Sequence, residues 1–447
     1  MAGMATVGMT GVRIAGWTAS DLLFLASSGF IVLRLLTGTR RNLAPVAARR
    51  SSPGFLIGLL TFTVGALMAT VFTSLAPAES ALALARVWYI TIIWFWTLRS
   101  VSTSVRIFRR LLLAAILGAV AHSLIGIYQD ISGANAGAPG WGRSQGLADH
   151  FGDFGIAVGS MIPVLAVWRR EATQRARRDW LRILGLIILL GGVASSGSMT
   201  PLAAVFVGTV VAVSAPNLAR PRRERRRRRL AVPLVVGALC VGILMSGIVE
   251  LSVQTRFEEL LSGDTATAES AESRASQTEA AFAGIVHSPV VGVGLDLKSG
   301  AVEVDGDSNK VHNFYVRVAY EAGILGFLGL VLMLLIVNRQ GWQLLRFTRR
   351  TPLLWLPAGL LGSFVMVLVA AMFGPVLYGR ISWLPMALIS ALHGLARVGL
   401  LEGGSRAPAG SDAPIAPIVP AVPQLNGGGA PAGLNGWGSA PGGSATP

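Results

Sequence analysis

A single cysteine in 447 residues, Cys240, excludes an internal disulfide and any cysteine-ligated metal cluster. It falls inside an apolar run and reads most simply as a small packing residue. Charge is also scarce: Asp, Glu, Lys and Arg make up 13% of the chain against 52% hydrophobic residues, a balance foreign to an ordinary soluble domain. The N-terminus lacks a basic start, a short apolar core and a small-residue cleavage site, so no removable signal peptide is expected and the first apolar run reads as an anchor. The glycines of Val291-Gly292-Val293-Gly294 have no flanking strand and helix of a βαβ unit, which excludes a nucleotide fingerprint.

What is present is a series of apolar runs, each about 17 to 23 residues and long enough to cross a hydrocarbon core of roughly 30 Å as a helix. Eleven are expected, at 17–36, 53–75, 80–98, 111–131, 149–168, 181–197, 199–215, 230–250, 315–337, 353–373 and 381–398. Between 181 and 215 the phrase Ser195-Ser196-Gly197-Ser198 and Pro201 leave room only for a tight turn, and one kinked helix is the competing reading. The expected fold is therefore all-α: a polytopic transmembrane helical bundle of about 11 to 12 spans over residues 1–400, followed by a tail. Residues 401–447, rich in Pro, Gly, Ala and Ser, are expected to be a disordered cytoplasmic tail.

The net charge of +16 and the run Arg222, Arg223 and Arg225 to Arg229 superficially suggest nucleic acid. Their distribution argues for topology instead. Arg40, Arg41, Arg49, Arg50, then Arg99, Arg106, Arg109, Arg110, then Arg169, Arg170, Arg175, Arg177, Arg178, then the arginine run, then Arg339, Arg346, Arg349 and Arg350 occupy alternate loops, as the positive-inside rule requires. The N-terminus is then outside, the C-terminus cytoplasmic, and the acidic loop 251–311 is the large extracytoplasmic segment, with a short helix from about Glu269 to Val286. No nucleic-acid partner is expected; membrane lipids are, and the arginine run suits anionic headgroups.

On this topology Asp21, Arg86, Asp130, Arg143, Asp149, His150, Asp153, His312, Arg317 and Glu321 gather at outer helix ends. A mixed-sign cluster next to hydrocarbon is costly unless paired or used. Arg317 and Glu321 are four residues apart on one helical face, so they form either a structural ion pair or part of a binding site. His312 titrates near neutral pH, as a general base must. Arg143 and Arg274 are cations in outer loops, with a solvated or carboxylate-paired side chain as the plain alternative for each. The phrase His287-Ser288-Pro289-Val290-Val291-Gly292-Val293-Gly294-Leu295 is expected to turn the loop back toward the membrane.

Read in order, an arginine loop before a span, an outer loop with an arginine helix, Ser288-Pro289-Val290-Val291-Gly292-Val293-Gly294, and His312-Asn313-Phe314-Tyr315 running to Glu321-Ala322-Gly323-Ile324-Leu325-Gly326 resemble the O-antigen ligase and O-antigen polymerase superfamily of bacterial membrane glycosyltransferases. The resemblance covers roughly residues 110 to 340. It implies a glycan donor on undecaprenyl diphosphate, a glycan or lipid-glycan acceptor, and transfer without metal or cofactor at the outer face of the cytoplasmic membrane, for cell-surface polysaccharide synthesis. It further implies that Arg143 and Arg274 engage the donor diphosphate and that His312 activates the acceptor hydroxyl. From their position on the helix, Arg317 and Glu321 are further substrate-binding candidates. The chain departs from the family where Ser195-Ser196-Gly197-Ser198-Met199 lacks the usual arginine, and where Asp149-His150-Phe151-Gly152-Asp153 follows Gly146. A lipid-linked glycan flippase or other transporter, which would place charges near the midplane and often repeat its halves, is the alternative; a membrane scaffold leaves the outer cluster unexplained.

Overall fold

A computed structural model describes residues 1–11, 13–14, 17–38, 43–133, 143–168, 175–218, 265–296, 300–304, 307–374 and 379–401. The chain divides into two units, Met1–Gly403 and Gly404–Pro447. The expected tail, the arginine run and the expected span 230–250 lie outside the described residues.

The first unit is built of helices: α1 Ala2–Ala5, α2 Ala19–Leu36, α3 Val46–Arg49, α4 Pro53–Phe72, α5 Pro77–Trp88, α6 Phe95–Val101, α7 Val105–Ser132, α8 Phe151–Gly159, α9 Ile162–Val167, α10 Arg175–Ser195, α11 Met199–Leu218, α12 Thr265–His287, α13 Phe314–Thr348, α14 Trp355–Ala371 and α15 Arg380–Arg397. A π-helical turn, Tyr89–Trp94, carries α5 into α6. Among the described residues seven helices are long and apolar enough to cross a membrane, fewer than the eleven spans expected. The expected spans 149–168, 181–197 and 381–398 are helical but fall outside those seven, the first as a shorter apolar helical stretch, Phe151–Val167. Between 181 and 215 the chain forms two helices, with Gly197 at φ 59° in the turn, and not one kinked helix.

The all-α expectation is amended by two short antiparallel hairpins, β1 Arg13–Ile14 with β2 Trp17–Thr18, and β3 Ala301–Val304 with β4 Asp307–Lys310. Val304, Asp305, Gly306 and Asp307 supply the Asp-Gly signal of a two-residue hairpin connection, which strong helical periodicity elsewhere overshadowed.

Packing follows from small residues. Helix α4 is apolar on every side, yet Phe55, Leu59, Phe62, Ala66 and Ala69 are buried while Ile57, Leu60, Val64 and Val71 are exposed, the division of a helix with one protein face and one lipid face. Its inner face lies along α13, where a side chain on Gly58 or Gly329 would collide with the opposite backbone. Helices α11 and α14 meet in the same way at Gly208 and Gly362. Without a hydrophobic driving force in lipid, such close backbone approach supplies dispersion contact that larger side chains would forfeit.

One buried carboxylate inside this bundle is paired across a long sequence separation. Asp21 caps α2 through Thr18 and forms an ion pair with Arg380 of α15 at 2.5 Å, so this member of the expected outer cluster joins the first and last long helices of the described unit.

Candidate active site

The phrase around His312 is a helix start. Asn313 caps α13 by accepting the backbone N–H groups of Tyr315 and Val316 at 3.1 and 3.2 Å, two of the orphan donors that every helix N-terminus leaves. Val311 and Phe314 on either side are buried. Tyr315 then donates its hydroxyl to the Leu368 carbonyl of α14 at 3.0 Å. These anchors fix the backbone of His312 and leave its imidazole half-buried.

Across from it runs α12, observed at Thr265–His287 where a shorter helix was expected. One face of α12, Gln277 and Ala281, turns inward, and Ala281 packs in a small cluster with Val302 and Val311. Its neighbouring face carries Arg274, Thr278 and Phe282, spaced at four residues, along a cavity of about 490 Å³ that His312, Asn313, Met372 and Phe373 also line. That volume is ordinary for a small-molecule site. The lining combines polar and cationic groups with the apolar side chains of Phe282, Met372 and Phe373. Glu279 also reaches this cavity.

His312 Nδ1 lies 2.7 Å from Gln277 Oε1. Burial, then the positive charge of Arg274, push the imidazole below its ordinary pKa; a hydrogen bond to the Lys310 carbonyl works in the opposite direction, and His150 and Arg317 add to the lowering. The imidazole is consequently neutral at neutral pH and able to accept a proton. A protonated His312 would meet cations from several sides.

Arg143 occupies a separate loop, firmly held. Ser144 donates its N–H to the Ser195 carbonyl at 3.1 Å, and the Gln129 amide both accepts from Gly146 N–H at 2.8 Å and donates to the Gly146 carbonyl at 2.9 Å. The turn at Ser195 thus contributes a carbonyl that fixes the Arg143 loop. The Arg143 guanidinium lies 4.4 Å from the centroid of the Phe151 ring, which itself packs on His150 at 3.9 Å. Electrostatic influence runs from Arg143 to His150 and from His150 to His312, although Arg143 does not line the cavity.

Arg317 and Glu321 have a different setting. Nε of Arg317 lies 2.6 Å from Glu321 Oε1, with Arg317 6% and Glu321 0% exposed. The two side chains form an ion pair, and neither is among the residues lining the cavity. Immediately beyond it α13 breaks at Gly323, whose φ of 66° and ψ of −174° are non-helical. The Ser288-to-Gly294 phrase docks into this break. Val293 and Gly294 donate N–H groups to the carbonyls of Tyr320 and Glu321 at 3.0 and 2.9 Å, while Ile324 N–H reaches the Pro289 carbonyl at 3.0 Å. Backbone groups freed by the kink are thereby satisfied, and a Cβ on Gly323 would strike the Val290 carbonyl. The loop is further tied at Leu295, whose N–H donates to Ser80 Oγ, and at Asp296, which accepts from Ser74 Oγ at 2.7 Å.

Sequence reasoning missed Gln277, Phe282, Met372 and Phe373. Gln277 stands three residues after Arg274, a spacing that could have drawn attention, but a lone glutamine in a polar helix carries no signal of its own. Among the described residues no group of three or more His, Cys, Asp or Glu is arranged to hold a metal ion.

The family model described as O-Antigen ligase matches residues 184–331, which supports the O-antigen ligase superfamily for this chain. The matched stretch contains Arg274, Gln277, His312, Arg317 and Glu321 and begins after Arg143. No curated protein matches the chain.

Proposed function

From the O-antigen ligase match over residues 184–331, we propose that this multi-pass membrane protein is a glycosyltransferase that moves a glycan from an undecaprenyl-diphosphate donor to an acceptor hydroxyl at the outer face of the bacterial cytoplasmic membrane. The observation that carries the reading is the cavity shared by Arg274 and His312. A base and a cation facing one cavity are what the reaction requires. His312 takes the acceptor proton at the ring nitrogen not engaged with Gln277, and the freed oxygen attacks the anomeric carbon. The bond from that carbon to the diphosphate oxygen breaks, its electron pair leaving with undecaprenyl diphosphate.

Negative charge grows on the diphosphate as that bond breaks, so guanidinium donors fixed beforehand stabilise the transition state more than the ground state. Arg274 supplies this at the cavity wall. Arg143, in the loop that Ser195 and Gln129 hold through Ser144 and Gly146, extends the cationic surface. Arg317 adds positive potential while Glu321 holds it in place. On this reading no divalent ion is required. The apolar lining of Phe282, Met372 and Phe373 suits the lipid end of the donor. The same machinery serves a ligase or a polymerase, and the acceptor distinguishes them.

The test is mass analysis of products after purified protein meets a defined undecaprenyl-diphosphate oligosaccharide and candidate acceptors in lipid vesicles. A new glycosidic bond is expected, with a lipid-linked repeat as acceptor for a polymerase and a different lipid, glycan or protein for a ligase. Movement of labelled donor across the bilayer with no new bond would replace the enzyme with a flippase.

A further inference from the structure

The base proposed for this site needs one ring nitrogen free and the other occupied. We infer that Gln277 is the positioning residue that sets this state, holding the His312 Nδ1 proton on its carboxamide oxygen so that Nε2 presents its lone pair to the acceptor hydroxyl. The inference rests on the glycosyltransferase reading of the same cavity.

Three observations carry it. Gln277 Oε1 lies 2.7 Å from His312 Nδ1, and the glutamine is only 3% exposed, so water offers His312 little substitute on that side. The amide is itself oriented: Nε2 of Gln277 donates to Ser273 Oγ at 3.1 Å, one turn back on α12, which leaves the oxygen to face the histidine. The helix that carries Gln277 also carries Arg274 on the adjoining cavity face, so a single rigid element sets the tautomer of the base and aims the cation. A neutral amide suits such a crowded cationic place. The charges facing His312 are Arg274 on α12, Arg317 on α13 and, when it is protonated, His150 before α8, with Glu279 on the same cavity and the Lys310 carbonyl at the ring. A carboxylate at 277 would favour the imidazolium and withdraw the base near neutral pH, whereas the amide accepts the Nδ1 proton without doing so as strongly.

In the transfer step the acceptor O–H proton passes to Nε2 and the Nδ1 proton stays on its bond to Gln277. The imidazolium so formed keeps its orientation until the proton is released to solvent.

Two readouts separate positioning from mere packing. The first is the pH dependence of His312 acylation by diethyl pyrocarbonate, which attacks neutral imidazole, followed by peptide mass analysis of the intact purified protein. Gln277→Glu should raise the midpoint by about one pH unit, and Gln277→Leu should lower it. The second is transfer from an undecaprenyl-diphosphate oligosaccharide, where Gln277→Leu should lower kcat about tenfold or more with little change in KM. Should the glutamate variant not fold, Gln277→Asn withdraws the acceptor by one methylene and should lower the midpoint as leucine does. An unchanged midpoint in these variants, or full kcat in Gln277→Leu, overturns the inference while loss of transfer in His312→Ala upholds the base. Retained transfer in His312→Ala overturns both.

Discussion

Two polar places lie within three helical turns of one another at the start of α13, and they differ in nearly every physical respect. At its N-terminus His312 faces a cavity, is half-buried, and is joined to a neutral amide. Further along, Arg317 and Glu321 are enclosed, oppositely charged and bonded to each other, with a docked loop closing over the break at Gly323. On the proposed function the same short phrase of sequence contains a reacting group and a clamp. Access and the charge of the partner separate them. A buried charge pair spends its interaction energy on its own desolvation, whereas a half-buried imidazole on a neutral partner keeps a lone pair for substrate.

The comparison breaks most severely at the clamp. Glu321→Ala leaves the Arg317 guanidinium buried without its carboxylate and should destabilise the protein by about 3 to 5 kcal/mol, read as a lowered midpoint of thermal unfolding in detergent. The paired replacement Arg317→Met with Glu321→Leu should recover most of that loss, since apolar groups of similar volume need no counter-charge. Recovered stability with recovered transfer would assign the pair to structure alone; recovered stability without transfer would assign Arg317 to the substrate.

At the cavity the order of effects reverses, with stability unchanged and chemistry lost. Arg274→Ala should lower kcat/KM for the lipid-diphosphate donor by about two orders of magnitude while the unfolding midpoint stays put. Arg143→Ala should cost less, about tenfold, because this guanidinium lies on Phe151 and outside the cavity lining. Equal losses at the two arginines would indicate that the Arg143 loop closes onto the donor.

The smallest expected effect concerns pH. The folded-state pKa of His312 is lowered by burial and by Arg274, so the neutral base persists as pH falls through the usual histidine range. Transfer should hold steady from pH 7 downward past the ordinary imidazole value of about 6.5 and decline only below it. Removing Arg274 relieves the repulsion, so the acidic limb of any residual activity should move upward.

Much of this architecture is legible in the sequence because lipid imposes simple rules. Apolar run length anticipates α2, α4, α7, α11, α13 and α14, and Ser195-Ser196-Gly197-Ser198 marks the turn after α10. The helix carrying Arg274 is announced by its composition, and the glycines from 292 to 294 by their turn chemistry. What escapes is pairing at long sequence separation. Nothing local in Asp21 points to Arg380, and nothing in Gln277 points to His312; both contacts arise from how distant helices are stacked. The break of α13 is half legible: Gly323 permits it, but only the docked Pro289-to-Gly294 backbone explains why the freed hydrogen-bonding groups tolerate burial. For Glu321 the sequence leaves a site or a salt bridge equally open, and the structure shows it buried and bonded to Arg317.

The most direct measurement is the single-turnover rate of glycan transfer by folded His312→Ala protein loaded with an undecaprenyl-diphosphate oligosaccharide. The account predicts wild-type donor binding and a transfer rate lowered about a thousandfold. Transfer at near the wild-type rate would contradict it, and the cavity shared with Arg274 would then hold the donor without supplying the base.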